Sequence, residues 1–337
     1  MDIRTALARV VARTSLEESE MEAVMQQLME GAATPAQIGG LLVALRMKGE
    51  TASEIIGAAR ALRTHATRIH PRAPVIVDTC GTGGDLRGTF NISTAAAFIA
   101  AGTGLTIAKH GNRAMSGSVG GADVLEALGV KIDLTPEQIA ACVDAVGIGF
   151  LFAPTFHPAM RHAAGPRREL GMRTIFNLLG PLSNPAGARH QVVGVFAAEW
   201  TEPLAQALGR LGSVHALVVH GDDGLDEISL AAPTQLSEWK DGTLRTYRVT
   251  PEELGLARCC DAELAGGDRD TAASIIRGIV AGASGPRADV AVVNAAAAIY
   301  VGGLAPSIAA GIRIAQDSIR SGRARHKLTQ LIEYTNR

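Results

Sequence analysis

The sequence predicts an α/β protein in two parts. Residues 1–70 form a small helical domain, and residues 71–337 form a larger α/β domain around a mostly parallel sheet. Three observations carry this expectation. Helix-period apolar positions with capping signals fill the first 70 residues. Beyond them, short apolar runs alternate with helical segments, the pattern of strands joined by crossover helices. Three of those runs end abruptly in loops rich in glycine and polar residues. The length of 337 residues fits about two domains of roughly 150 residues each.

In the helical part, Met21, Met25, Leu28 and Met29 recur at helical spacing, and Gly31 supplies a stop. Thr34-Pro35 reads as an N-cap followed by proline at the first helical position. Ile38, Leu41, Leu42 and Leu45 give that helix its apolar face. Thr51 and Glu54 fit a T-x-x-E capping box, which opens a third helix with Ile55, Ile56 and Leu62. So many apolar positions on three short helices exceed what a bundle of this size buries alone. The expectation is a subunit interface at Met21, Met25, Leu28, Leu41 and Leu45, hence a homodimer.

The pattern changes between Pro71 and Pro74. Val75-Ile76-Val77 is a short strand, followed by Asp78-Thr79-Cys80-Gly81-Thr82-Gly83-Gly84-Asp85. A helix opens near Asn91 to Thr94. Leu105-Thr106-Ile107-Ala108 is a second strand, with Lys109-His110-Gly111-Asn112-Arg113 as the loop behind it. Residues 124–128 are helical, and Thr135-Pro136-Glu137-Gln138 caps another helix. Residues 150–152, 192–196 and 216–219 are strands, the last leading into His220-Gly221-Asp222-Asp223-Gly224. The tail from Asp268 is helix-rich, with breaks at Pro306 and Gly322.

Composition removes several function classes. Thirty-two Lys and Arg against 33 Asp and Glu leave a net charge of -1, which argues against binding nucleic acid or an anionic membrane by bulk charge. Aromatic residues are only 4%, too few for a base-stacking surface. No apolar run reaches the ~18 residues of a membrane span, and the charged first 30 residues do not read as a secretory signal. Cys80, Cys142, Cys259 and Cys260 contain no C-x-x-C pair, so a reducing, cytoplasmic setting is expected.

In an open parallel sheet, ligands bind beyond the carboxyl ends of the strands, which puts the three glycine-rich loops on one rim. The first offers bare backbone N–H groups and runs into hydroxyls at a helix start, the makings of an anion site; a plain tight turn with an N-cap fits equally well. Neither common phosphate motif is present. Leu86 stands where the dinucleotide fingerprint needs glycine, and Thr89-Phe90 stands where a P-loop needs Lys and Ser or Thr. The second loop sets Lys109 and Arg113 beside glycine, suited to phosphate charge. The third carries Asp222, Asp223, Asp226 and Glu227, which repel one another unless a hard cation such as Mg²⁺ sits among them.

These motifs resemble the anthranilate phosphoribosyltransferase family of tryptophan biosynthesis. So do Ala122-Asp123-Val124-Leu125-Glu126, the run from Arg173-Thr174-Ile175-Phe176-Asn177 to Pro181-Leu182, and Asp226-Glu227, in collinear order over nearly the whole chain. The resemblance implies a nucleoside phosphorylase-like fold, with a segment near 165–185 returning to the helical domain, and a homodimer. It implies Mg²⁺-dependent transfer of phosphoribosyl from phosphoribosyl diphosphate to anthranilate, with two Mg²⁺ per monomer. By position, phosphoribosyl diphosphate is held by Gly81, Gly84, Asp85, Thr89, Asn91, Ile92, Ser93, Thr94, Lys109, His110, Gly111, Asn112, Arg113, Ala114, Met115, Ser116, Gly117 and Gly121. Anthranilate is held by Gly81, Asn112 and Arg167, with Arg167 on its carboxylate. Ser93, Asp226 and Glu227 bind metal. Lys109 and His110 assist, and no conventional catalytic residue is implied. This chain departs from the family pattern at Gly117 and Gly121, where serines are usual, which predicts a looser hold on phosphoribosyl diphosphate. Within the fold, a nucleoside phosphorylase is the competing activity.

Overall fold

The computed structural model describes residues 1–84, 87–114 and 119–337. Its centre is a seven-stranded sheet: β1 (Ile76–Asp78), β2 (Thr106–Gly111), β3 (Ile148–Phe152), β4 (His190–Gly194), β5 (His215–Gly221), β6 (Thr234–Lys240) and β7 (Thr243–Val249). The spatial order is β3-β2-β1-β4-β5-β6-β7. The first five strands are parallel, and β6 and β7 extend the sheet antiparallel. The chain builds outward from β1 to one side, then restarts at β4 on the other. The crevice between β1 and β4 is therefore the topological switch point.

Two strands run further than expected. Lys109 and His110 are not in a loop but in the last turn of β2, paired with Phe150 and Leu151 of β3. His220 and Gly221 likewise belong to β5. The β6–β7 hairpin was not anticipated, although its signal is in the sequence. Asp241 and Gly242 both have positive φ, 50° and 76°, as a two-residue hairpin turn requires.

The helical part comprises Ile3–Val11, Glu18–Met29, Pro35–Lys48 and Ala52–Thr64. The expected N-cap at Thr34 accepts from the Gln37 amide, and the expected capping box at Thr51 accepts from the Glu54 amide. Met21, Met25, Leu28, Leu41 and Leu45 are each 0% exposed within the single chain. They pack in one cluster with Ala163, Ile175, Leu178 and Leu182 from the returning segment, and with Val193, Leu204 and Val218 beneath one sheet face. Their burial removes the stated reason for placing a subunit interface on them. A second cluster covers the other sheet face, centred on helices Ile92–Ala101 and Pro286–Val301. Among the described residues no helix is long and apolar enough to cross a membrane. The four cysteines are unbridged.

One buried ion pair organises the helical part. Glu54 is 0% exposed and receives the Lys48 ammonium at 2.9 Å, the Thr51 amide at 2.8 Å and the Leu16 amide at 3.0 Å. Three turns thus converge on one carboxylate. Glu54→Ala is expected to cost about 3–5 kcal/mol, because it leaves a buried ammonium and two amides without their acceptor. Chemical denaturation of the variant measures this, and a loss below about 1 kcal/mol, the range of surface pairs, contradicts it.

Candidate active site

The loop after β1 lies across the β1/β4 crevice. The Thr82 amide donates to the Gly194 carbonyl at 2.8 Å, and the Phe196 amide donates to Thr82 Oγ1 at 3.1 Å. The approach at Gly81 is close: a Cβ there would lie 3.3 Å from both Asp226 Oδ2 and the Gly194 carbonyl oxygen, so a larger residue would press on both. A cavity of about 630 Å³ opens above this loop. Most of the sequence-expected residues line it: Gly81, Gly84, Thr89, Asn91, Ile92, Ser93, Lys109, His110, Gly111, Asn112, Arg113, Ala114, Gly121, Arg167, Asp226 and Glu227. Asp85, Met115, Ser116 and Gly117 lie outside the described residues. Thr94 is not on the cavity wall. It is buried, with Oγ1 unpartnered, and a Cβ at Gly121 would sit 3.8 Å from that oxygen. A serine hydroxyl at 121 would have had Thr94 beneath it.

The cationic wall is differentiated. Lys109 is buried, its ammonium donating to the Thr79 carbonyl at 2.6 Å and Ser93 Oγ at 3.1 Å. Arg113 is committed to protein carboxylates, reaching Glu126 at 2.6 Å and Asp123 at 2.9 Å. The second loop thus presents one ammonium and one already neutralised guanidinium, where the sequence suggested two cations for phosphate. Arg167 stacks over the Phe176 ring at 5.0 Å and has no ion pair among the described residues. Burial lowers its pKa. Arg168 is exposed and does not line the cavity.

The acidic loop divides in two. Asp222 pairs with Arg248 at 2.7 Å. Asp223 accepts from Ser229 Oγ at 2.6 Å and from the Leu225 amide at 3.2 Å. These two carboxylates brace the loop, and only Asp226 and Glu227 reach the cavity. The four acids therefore do not share one cation, since two of them are occupied by protein partners. The remaining pair, with Ser93 close by, is a hard oxygen set. Among the described residues no cluster of three His, Cys, Asp or Glu could hold a metal alone. That donor set fits Mg²⁺, which is bound through one or two carboxylates with substrate phosphates completing its shell.

His157 was missed in the sequence because nothing in its spacing marks it. Its ring centroid lies 5.1 Å from that of His110, and both rings line the cavity. His110 Nδ1 is 3.1 Å from the Gly180 carbonyl, so Nδ1 carries the proton and Nε2, unpartnered, is an acceptor. Burial, and then the His157 charge, hold the His110 pKa down at about 3; burial holds His157 at about 4. Both rings are neutral near pH 7. Arg173 was also missed. It bonds the Gly84 carbonyl and stacks on Phe196 at 4.3 Å, closing the cavity beside the glycine loop.

A helical lobe is thus joined to a mostly parallel sheet whose switch point opens into a cavity suited to anions. The α/β domain of the glycosyl transferase family matches residues 73–325, and its helical bundle domain matches residues 4–66. Anthranilate phosphoribosyltransferases are 53% identical in Thioalkalivibrio sulfidiphilus and 55% identical in Syntrophobacter fumaroxidans, each over 335 residues and 99% of both chains. The crystal structure of the Thermus thermophilus enzyme superposes with a TM-score of 0.93 at 44% identity, covering 98% of this chain and 99% of that one. The Saccharomyces cerevisiae enzyme in complex with phosphoribosyl diphosphate and Mg gives 0.89 at 28% identity, covering 99% and 98%. The chain belongs to the anthranilate phosphoribosyltransferase family.

The two histidines make stability acid-sensitive. Their folded pKa values lie below the ordinary 6.5, so the unfolded chain binds more protons and stability falls as pH drops from 6.5 toward 4. Asp78, raised by burial from 3.8 to about 6, acts oppositely, losing stability as pH rises through that window. His157→Gln is expected to flatten the acid limb of a denaturation-versus-pH curve, by on the order of 3 kcal/mol. Asp78→Asn is expected to steepen it. An unchanged slope in His157→Gln would show that burial does not depress the pKa of the ring.

Proposed function

We propose that this chain transfers the phosphoribosyl group of 5-phosphoribosyl 1-diphosphate to anthranilate, giving N-(5-phosphoribosyl)anthranilate and diphosphate, a step of L-tryptophan biosynthesis. One observation carries this reading: a single cavity holds an anion cradle with a carboxylate pair, and also an unpaired arginine beside neutral aromatic side chains. The first half suits a diphosphate and the second an aromatic carboxylate. The names of the relatives support the reading, as does the binding of phosphoribosyl diphosphate with Mg, and of 4-fluoroanthranilate, by the yeast enzyme.

The residues divide the work. The bare amides of Gly81 and Gly84 and the start of helix Ile92–Ala101 receive the phosphates. Lys109 is fixed by Thr79 and Ser93 where negative charge grows on the departing diphosphate. Ser93, Asp226 and Glu227 would hold Mg²⁺, two ions per monomer, and the metal would neutralise diphosphate charge and so make it a competent leaving group. Arg167, stacked flat on Phe176, presents its guanidinium to the anthranilate carboxylate. Asn112 and the His110 Nε2 acceptor face the amine, which is neutral at pH 7 and attacks without prior deprotonation. Positioning and electrostatics supply the rate, with no covalent enzyme intermediate. Gly121, where the family usually has serine, forgoes a hydroxyl contact to phosphate. A homodimer in the cytoplasm completes the proposal, its interface lying on surface other than the five buried residues discussed above.

Anthranilate fluorescence tests the reading directly. Protein, anthranilate, phosphoribosyl diphosphate and Mg²⁺ together should quench it, and EDTA or the double change Asp226→Asn, Glu227→Gln should prevent this. Persistent fluorescence with the parent protein, or full activity of the double variant in EDTA, sinks the assignment.

Arg167→Ala should weaken anthranilate use about 10- to 150-fold, the value of a charged hydrogen bond of about 1.5–3 kcal/mol. KM for phosphoribosyl diphosphate should change far less. Arg168→Ala is the control, and if it is the more damaging variant, the carboxylate is held elsewhere.

A further inference from the structure

Helix Pro286–Val301 is apolar along almost its whole buried length, with Val290, Val292, Val293 and the alanines 295–298 in the core. Asn294 interrupts that run and is only 2% exposed. A buried amide is costly unless its polar atoms are satisfied. Here they are, and two of its three bonds go to one residue. Asn294 Oδ1 accepts the Ile228 amide at 2.9 Å, and Nδ2 donates to the Ile228 carbonyl at 3.0 Å; the third bond goes to the Val290 carbonyl one turn back, at 2.9 Å.

Ile228 directly follows Asp226-Glu227. Its N–H belongs to the same planar peptide unit as the Glu227 carbonyl, so fixing it fixes the plane from which the Glu227 side chain departs. Asn294 grips backbone on both sides of the Ile228 Cα and works like a rung of sheet pairing supplied by a helix. It also lines a small cleft together with Ser93, Gly81 and Glu227. The other side of the loop is held separately by the Asp223–Ser229 bond and by the Gly221 amide on the Leu225 carbonyl at 2.8 Å. From below, Gly194 leaves room for Asp226, whose carbonyl a Cβ there would overlap.

We propose that Asn294 is a positioning residue for the Mg²⁺-diphosphate half of the site, acting through the Ile228 backbone to aim Asp226 and Glu227 without touching metal or substrate. The inference rests on the function proposed above. Changes behind metal ligands typically cost about 10- to 100-fold in metal affinity.

The test titrates Mn²⁺, as an EPR-visible stand-in for Mg²⁺, into the full chain with phosphoribosyl diphosphate present. Asn294→Ala removes all three bonds. Asn294→Asp keeps the shape and the acceptor while removing both donors. Ser318→Ala, which deletes a buried hydroxyl bond to the Ile99 carbonyl away from the cavity, controls for lost stability. Both Asn294 variants are expected to bind Mn²⁺ about 10- to 100-fold more weakly. They should also need more Mg²⁺ for half-maximal turnover, while KM for anthranilate at saturating Mg²⁺ stays that of the parent. Ser318→Ala should leave all three unchanged. A folded Asn294 variant that binds Mn²⁺ like the parent overturns the proposal, as does failure of both Asn294 variants to fold, which would make the residue purely structural. A parent that binds Mn²⁺ with phosphoribosyl diphosphate yet transfers nothing to anthranilate overturns the proposed function instead, and the Mn²⁺ comparison still decides the role of Asn294.

Discussion

The site is assembled around one buried carboxylate. Asp78, at the end of β1, is 0% exposed and shut off from bulk solvent. Its oxygens must therefore be satisfied by protein, and they draw three chain segments together. Oδ1 accepts the His110 amide at 3.1 Å, at the end of β2, and Oδ2 accepts Asn184 Nδ2 at 2.7 Å, from the segment returning between the lobes. Asn184 also donates to the Ala108 carbonyl at 2.8 Å. Burial still wins over these bonds and over Lys109 nearby, holding the carboxyl near 6. The Asp78 hub thus adds to the direct bonds from Asn184 to Ala108 and from His110 to Gly180 in holding the end of β2 against the 180–184 turn.

Charge in the cavity is arranged by commitment. Arg113, Asp222 and Asp223 are spent on internal partners, so they shape loops and contribute little field. Lys109 is held by neutral oxygens, which keep its ammonium in place while leaving its full charge for a ligand. His110 and His157 are both neutral near pH 7, so neither adds positive charge to the cavity wall. The result is a cavity with Lys109, Asp226 and Glu227 among its charged groups and with Arg167 stacked on an aromatic ring.

Most of this was legible in the sequence. Strand ends and caps are local chemistry: T-x-x-E at Thr51 and proline at Pro35 specify their helices whatever the rest of the chain does. The rim location of the three loops followed from strand direction alone. What stayed hidden depends on partners remote in sequence. Nothing near Arg113 announces that Glu126 will neutralise it, and the acidic loop cannot be divided into brace and ligand until Arg248 and Ser229 are placed. His157 has no motif, since its meaning comes from a neighbour 47 positions away. Asp241-Gly242 is the opposite case, a local hairpin signal that was present and went unread. The apolar surplus of the first helices misled for a related reason. It is consumed by the returning segment and one sheet face, both distant in the chain.

The buried guanidinium of Arg63 bears on how such a protein can change over generations. It leaves helix Ala52–Thr64 to bond the Leu182 carbonyl at 2.5 Å and the Leu211 carbonyl at 2.8 Å, two points far along the chain. The first of these lies in the turn that carries Gly180, the acceptor for His110, and Asn184, the partner of Asp78. The heritable module is thus not the helical stretch 3–64 alone. Recombination between relatives with a crossover just past helix Ala52–Thr64 would join one ancestor's arginine to another's turn, so that the turn's hold on the His110 ring and on Asp78 would rest on a mismatched fit. The two lobes are expected to diversify as one unit.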